Sequence, residues 1–213
     1  MHAIYSIYII ISSFSLSAIT TFIICYINNK PFINPNYNVE KRIERIKEMG
    51  KNMIILTFQS FGMIYVVSEN IIPYRENSNI FESIFSMIQI CFFIEANYYM
   101  YHRIIHKYYY TEVHKKHHEN VIVYPFDTFF LTDVDDFAFM FSLLFPSTFI
   151  KISVIEQSLI IYIYITTSVI SHSDIYWKHH YIHHKLPCYN YCLLFPIFDI
   201  LFGTYKKETY KIE

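Results

Sequence analysis

Hydrophobic positions in this chain fall in long unbroken runs, and the charges gather between them. From Ala3 to Ile27, 25 residues pass without an Asp, Glu, Lys or Arg, more than the roughly 20 that a helix needs to cross a hydrocarbon core. Asn52 to Ser68 is a second uncharged run, extendable to Ile72 before Pro73 stops it; Ile80 to Tyr101 is a third, broken only by Glu82 and Glu95. Phe137 to Ile150 and Gln157 to Ser171 flank Lys151 and Glu156, with Pro146 near the turn. They read as a helical hairpin too short for two full crossings, and therefore shallow or strongly tilted. The pattern predicts an all-α integral membrane bundle in one domain over 1–213, with spans at 3–27, 52–72 and 80–101 and a hairpin at 137–171.

The order of the charges gives this layout a direction. Segments 28–51, 102–136 and 172–213 fall on one face and carry 15 of the 17 Lys and Arg, leaving Arg75 and Lys151 on the other. Basic loops mark the cytoplasmic side, which places the N-terminus in the lumen or outside. A cleaved signal peptide is the alternative for the first run, although no basic segment precedes it. Composition agrees with a membrane protein: 54% of residues are hydrophobic and only 16% charged, against about 25% charged in soluble domains. A net charge of -1 gives no reason to expect a nucleic-acid partner. Cys25 and Cys91 lie in expected spans and Cys188 and Cys192 on the basic face, where thiols stay reduced, so no disulfide framework is implied.

Ten of the eleven histidines lie between positions 102 and 184, all in segments of the basic face. His102 and His106 form HxxxH; His114, His117 and His118 form HxxHH, and His180, His183 and His184 form it again. Chance would supply such a triplet about 0.03 times in a chain of this composition. Steps of three and four put side chains on one helix face, close enough to share an ion. A metal-storage tract would instead be low in complexity, with contiguous histidines. Together with His172, nine imidazoles suffice for two ions at four each with one in reserve, so a dinuclear centre is the economical reading. Ligand type alone leaves zinc, copper, iron and nickel open.

HRIIH at 102–106, HKKHHE at 114–119, HS at 172–173, HHYIHH at 179–184, NY at 190–191 and FDILFGT at 198–204 resemble the integral-membrane fatty acid hydroxylase and sterol desaturase superfamily. The resemblance runs from about position 95 to 205 and includes the two hydrophobic segments between the second and third histidine boxes. It implies a non-haem di-iron oxygenase in the endoplasmic reticulum membrane, with a cytosolic histidine-lined cap in which His102, His106, His114, His117, His118, His172, His180, His183 and His184 hold two iron ions, zinc being a possible substitute. Within the superfamily the stretch from His183 to Thr204 looks most like the sterol C4-methyl oxidases, since Asn190 follows His184 by six positions and Asp199 follows Asn190 by nine. Two departures are visible: PFDTFFLTDVDD at 125–136 lacks the histidine expected after the second box, and the segment from His172 to His179 is short.

The chain carries no flavin, nucleotide or haem-attachment motif, so the implied electron donor is a membrane-bound b-type cytochrome or its reductase. Lys115, Lys116, Lys178 and Lys185 could steer an acidic donor, or serve only as positive-inside charges. Glu95, Tyr99, His102 and His106 share one face if the third helix continues through them; Glu95 would then orient or join the ligands, the alternative being a solvated carboxylate at the membrane edge. Asp133, Asp135 and Asp136 read as a polar turn before the hairpin, with ligation as the alternative. Asn190 and Asp199 match family positions that support the site or fix the fold, and Asp199 could instead cap a short turn with Gly203. The expected reaction is sterol hydroxylation at a C4 methyl group. Sterol C5 desaturation and fatty-acyl or sphingoid hydroxylation are alternatives within the class, and a zinc-binding hydrolase, a metal carrier or an inactive structural homologue stand outside it.

Overall fold

The first uncharged run forms one helix, α1 (His2–Ile27). The computed structural model describes residues 2–70, Arg75 and 79–207, and no strand occurs among them. Ile71, Ile72 and Pro73, where the second span was expected to end, lie outside the described residues, as do Met1 and 208–213 at the ends of the expected domain.

Helix α2 (Val39–Asn70) begins well before the uncharged run that predicted it, so half of the segment expected as the loop 28–51 is helical. Charge limits how deeply a helix can enter a bilayer, not whether it forms. The Asn38 carboxamide oxygen accepts the Lys41 amide at 2.8 Å and starts the helix. Ion pairs Lys41–Glu44 at 3.2 Å and Lys51–Asp133 at 3.1 Å then line its polar half. Helix α3 (Ile80–Tyr108) runs past the expected end at 101 and carries His102 and His106 on its last two turns. The apparent interruption at Glu82 is its capping box, Glu82 and Asn79 each accepting the other's backbone amide.

The hairpin consists of α4 (Asp133–Leu144), a 3-10 turn at Phe145–Thr148 containing Pro146, and α5 (Val154–Ser171), capped by Ser153 and Glu156. It starts at 133 rather than 137 because the three aspartates form the first turn of α4 behind the N-cap Thr132, where carboxylates favour the helix dipole. Two short helices, α6 (His179–Lys185) and α7 (Ile197–Leu201), follow.

Helix α5 packs against α1, α1 against α2, and α4 against both α2 and α3. Leu56, Ile90, Ile94, Met140, Ile161 and Ile165 form the centre of the shared core. Along α1 the usual polarity is inverted. Ser13, Ser17, Thr21 and Cys25, spaced by four, are buried, while Leu16, Ile19, Phe22 and Tyr26 are 51%, 57%, 60% and 78% exposed. Small residues let helix backbones approach closely, and an apolar outer face suits lipid rather than water. Thr20 and the Tyr162 hydroxyl of α5 share a hydrogen bond across this contact at 3.0 Å. Among the described residues, α3 and α5 are long and apolar enough to cross a membrane. Their ends differ in chemistry: Arg75 pairs with Glu156 through both carboxylate oxygens at the start of α5, and His172 sits at its far end, about 27 Å away at 1.5 Å per residue.

Replacing Ser17 with Leu should wedge α1 away from α5 and cost about 1–3 kcal/mol through overpacking, whereas Leu16→Val on the outer face should change little. Thermal unfolding in lipid nanodiscs would separate the two, and equal effects would contradict the close-packed interface.

Candidate metal centre

Four short stretches bring nine histidines to one place. His102 and His106 come from the end of α3. After Tyr109 the chain makes a single π turn, Tyr110–His114, closed by the Lys115 amide donating to the Tyr110 carbonyl at 2.7 Å. This wider turn aims His114 back at α3, as such turns often do at functional sites. The 3-10 turn His117–Glu119 follows, then His172 at the end of α5 and the three inward rings of α6. Arg45, fully buried in α2 with its guanidinium 3.3 Å from the Phe130 ring centroid, pairs with Glu119 at 3.0 Å and pins the second stretch to the bundle.

The imidazoles divide into two sets. His102, His106, His114, His118 and His183 form one, and His117, His172, His180 and His184 the other; within each set the ligand atoms lie within 4.8 Å of one another. The spacing rule applies only in part. Pairs four apart (102/106, 114/118, 180/184) share a set, whereas pairs three apart (114/117, 180/183) are split between the two. The sets touch, with His118 and His184 stacked at 4.3 Å between centroids.

The hydrogen bonds around these rings specify what the sets can bind. The Nδ1–H groups of His102, His172 and His183 donate to the carbonyls of Tyr191, Ser168 and Tyr189 at 2.9, 2.7 and 2.6 Å, and that of His114 to the Asp135 carboxylate at 2.6 Å. Those oxygens only accept, so in each neutral ring Nε2 is left as a bare lone pair. Yet the Nε2 atoms of His102 and His114 face each other at 3.0 Å, and His183 Nε2 lies 3.0 and 3.1 Å from those of His106 and His118. In the second set His117 Nε2 is 3.2, 3.1 and 3.2 Å from those of His172, His180 and His184. At His102 and His114, where both lone pairs are fixed, they repel unless a cation lies between them. Nitrogens bound tetrahedrally to one ion at 2.0–2.1 Å stand about 3.3 Å apart, close to these separations, so both sets fit a divalent metal ion.

Burial, with help from neighbouring imidazoles, holds His117, His180, His183 and His184 well below the usual imidazole pKa and takes His118 down to about 2. Burial also lowers His172, to about 4. These rings therefore stay neutral, the form that binds metals.

Two carboxylates carry the frame behind the ligands. Five consecutive backbone amides donate to them: Tyr191 and Cys192 to Asp199 at 2.8 Å each, then Leu193, Leu194 and Phe195 to Glu95 at 2.9, 2.9 and 3.1 Å. The same strap turns the Tyr189 and Tyr191 carbonyls toward His183 and His102. Glu95 thus neither joins a set nor faces solvent; it is 1% exposed and acts through the strap. Asp199 also accepts from His179 and Thr204, at 3.0 and 2.7 Å, rather than merely capping a turn. Burial works against its ionised form, but its hydrogen bonds outweigh that and hold the carboxyl below its usual pKa. Asn190, at φ 60°, tolerates the left-handed conformation and ties the His179 carbonyl to Lys206. His179 stays outside both sets.

The polar-turn reading of 133–136 misses Asp135, which holds His114 and also accepts the Tyr101 hydroxyl at 2.7 Å. Asp133 does lie at the surface, paired with Lys51, and Asp136 is buried. The available signal was a third aspartate in a first turn that one or two would serve. Of the lysines considered for donor docking, Lys116 is paired to Glu48. Beside the second set lies a narrow cleft whose walls combine His117, His172 and His180 with apolar side chains, among them Phe129, Leu131, Phe139 and Leu193.

The fatty acid hydroxylase family model matches residues 87–204, more than half of the chain and all nine clustered histidines. No curated protein and no solved structure matches it.

Neutral buried rings bind protons less readily than the same rings in the unfolded chain, whose pKa is near 6.5. Folding stability of the metal-stripped chain should therefore fall as pH drops below about 6.5 and keep falling toward 4. An unfolding midpoint unchanged between pH 7 and pH 5 would contradict this.

Proposed function

The chain belongs to the fatty acid hydroxylase family, and from that premise we propose that it is a membrane-embedded di-iron oxygenase that hydroxylates a sterol, at a C4 methyl group. Family membership makes it an oxidoreductase of lipid chemistry, and the apolar helices agree with a membrane protein. The observation that carries the proposal is the pair of adjacent all-imidazole sets, with opposed lone pairs at His102 and His114. Nitrogen donors suit iron, and two adjacent sets suit a dinuclear centre.

When bound, the irons supply the oxygen chemistry: one atom of dioxygen enters a C–H bond as hydroxyl and the other leaves as water, consuming two electrons and two protons. The chain contributes the rest. Nine imidazoles fix the coordination, the strap and Asp135 fix the rings, and the cleft at Phe129, Leu131 and Phe139 offers a water-poor apolar wall against which a lipid carbon can lie. Electrons come from outside, from a membrane-bound b-type cytochrome or its reductase, since the sequence has no nucleotide or flavin motif.

The sterol assignment rests on the spacing of His184, Asn190 and Asp199; fatty-acyl or sphingoid hydroxylation and sterol C5 desaturation use the same centre. The basic loops support a site on the cytosolic face, and the resemblance to the superfamily implies that the membrane is that of the endoplasmic reticulum. Purified protein in detergent should hold two irons per chain and consume dioxygen with a 4-methylsterol and a reduced b-type cytochrome. His117→Ala and His183→Ala, one from each set, should each lower turnover at least a hundredfold. A single zinc with no oxygen consumption would replace this reading with the zinc-binding hydrolase or the metal carrier, and turnover confined to acyl chains would move the substrate.

A further inference from the structure

The two histidine sets are held with unequal firmness. In the five-membered set, three rings are clamped through Nδ1: His102 by the Tyr191 carbonyl, His183 by the Tyr189 carbonyl and His114 by Asp135. In the four-membered set only His172 is clamped, by Ser168. The Nδ1 atoms of His117, His180 and His184 are buried and have no hydrogen-bond partner among the described residues. A ligating imidazole whose second nitrogen makes no bond is neither oriented nor made more basic, and loss of such a partner typically weakens metal binding 10–100-fold.

All four rings of the loosely held set are buried, whereas His106 and His118 of the clamped set are half-buried, so it is access from the apolar side that points the same way. The apolar cleft is bordered by His117, His172 and His180, three of the four rings of the loosely held set, and by His114 alone of the other. The clamped set lies instead against the strap, with Tyr191 packed over His102, His106 and His183 at 5.4–5.5 Å between centroids.

We infer that the two metal positions are unequal: the set of His117, His172, His180 and His184 is the exchangeable position that meets the substrate, and the set of His102, His106, His114, His118 and His183 is a permanent anchor. The inference rests on the oxygenase reading only in requiring two ions.

Chelator-driven iron release from the full chain in nanodiscs, followed by metal content, tests it. Two equal phases should appear, with rates about 10–100-fold apart. His184→Ala should hold one ion and release it only in the slow phase. Asp135→Ala, which unclamps His114, should speed the slow phase and spare the fast one, and Phe139→Trp, which narrows the cleft, should slow the fast phase alone. Two ions leaving the unsubstituted protein in one phase, or Asp135→Ala speeding the fast phase instead of the slow one, would overturn the inequality while leaving the oxygenase reading in place. Fewer than two ions at the outset would overturn both.

Discussion

The structure is organised around one electrostatic demand: imidazole nitrogens that point lone pairs at one another in a dry interior need positive charge between them. Four of these nitrogens have their bare state fixed by Nδ1–H donors that face oxygens able only to accept. Once those tautomers are set, the 3.0 Å separation of His102 Nε2 from His114 Nε2 requires a cation between them, and the neighbouring separations of 3.0–3.2 Å match nitrogens gathered around one ion. Helices α3, α5 and α6 and the π turn are the means by which distant parts of the chain meet that demand.

The carboxylates serve it at one remove. Direct carboxylate ligation would lower the charge of the bound ions; the chain instead places Asp135, Glu95 and Asp199 behind rings or amides. Negative charge remains nearby, where it stabilises cations in a low-dielectric site, while the donor set stays all nitrogen. Because one strap connects Glu95 on α3 with Asp199 on α7 and carries the acceptor for His102, with the acceptor for His183 two residues before it, α3 and the last segment of the described chain are mechanically one unit.

How much of this could be read in advance depended on whether the cause was local. The uncharged runs and the histidine steps are properties of neighbouring residues, so most helices and the histidines that cluster were visible in the sequence. The division of the histidines was not: a step of three separates His114 from His117 and His180 from His183 by enough rotation to face different centres, which depends on how α6 meets the 110–119 turns. The phase of Glu95 with His102 was legible, whereas its partners, backbone amides near position 194, carry no sequence mark. Asp135 was hidden for the same reason, lying 21 positions from the ring it holds. The early start of α2 was obscured because runs without charge report depth in a bilayer and say little about where a helix begins.

The strap also sets limits on how this sequence can drift. Its contribution comes from main-chain N–H groups, so proline, which has no N–H, is barred at all five positions, while burial separately restricts the side chains of Tyr191, Cys192 and Leu193. Pro196 stands at the first position released from that obligation. Related chains should therefore show strict imino-acid exclusion across this window, answered by two acidic residues far apart in sequence.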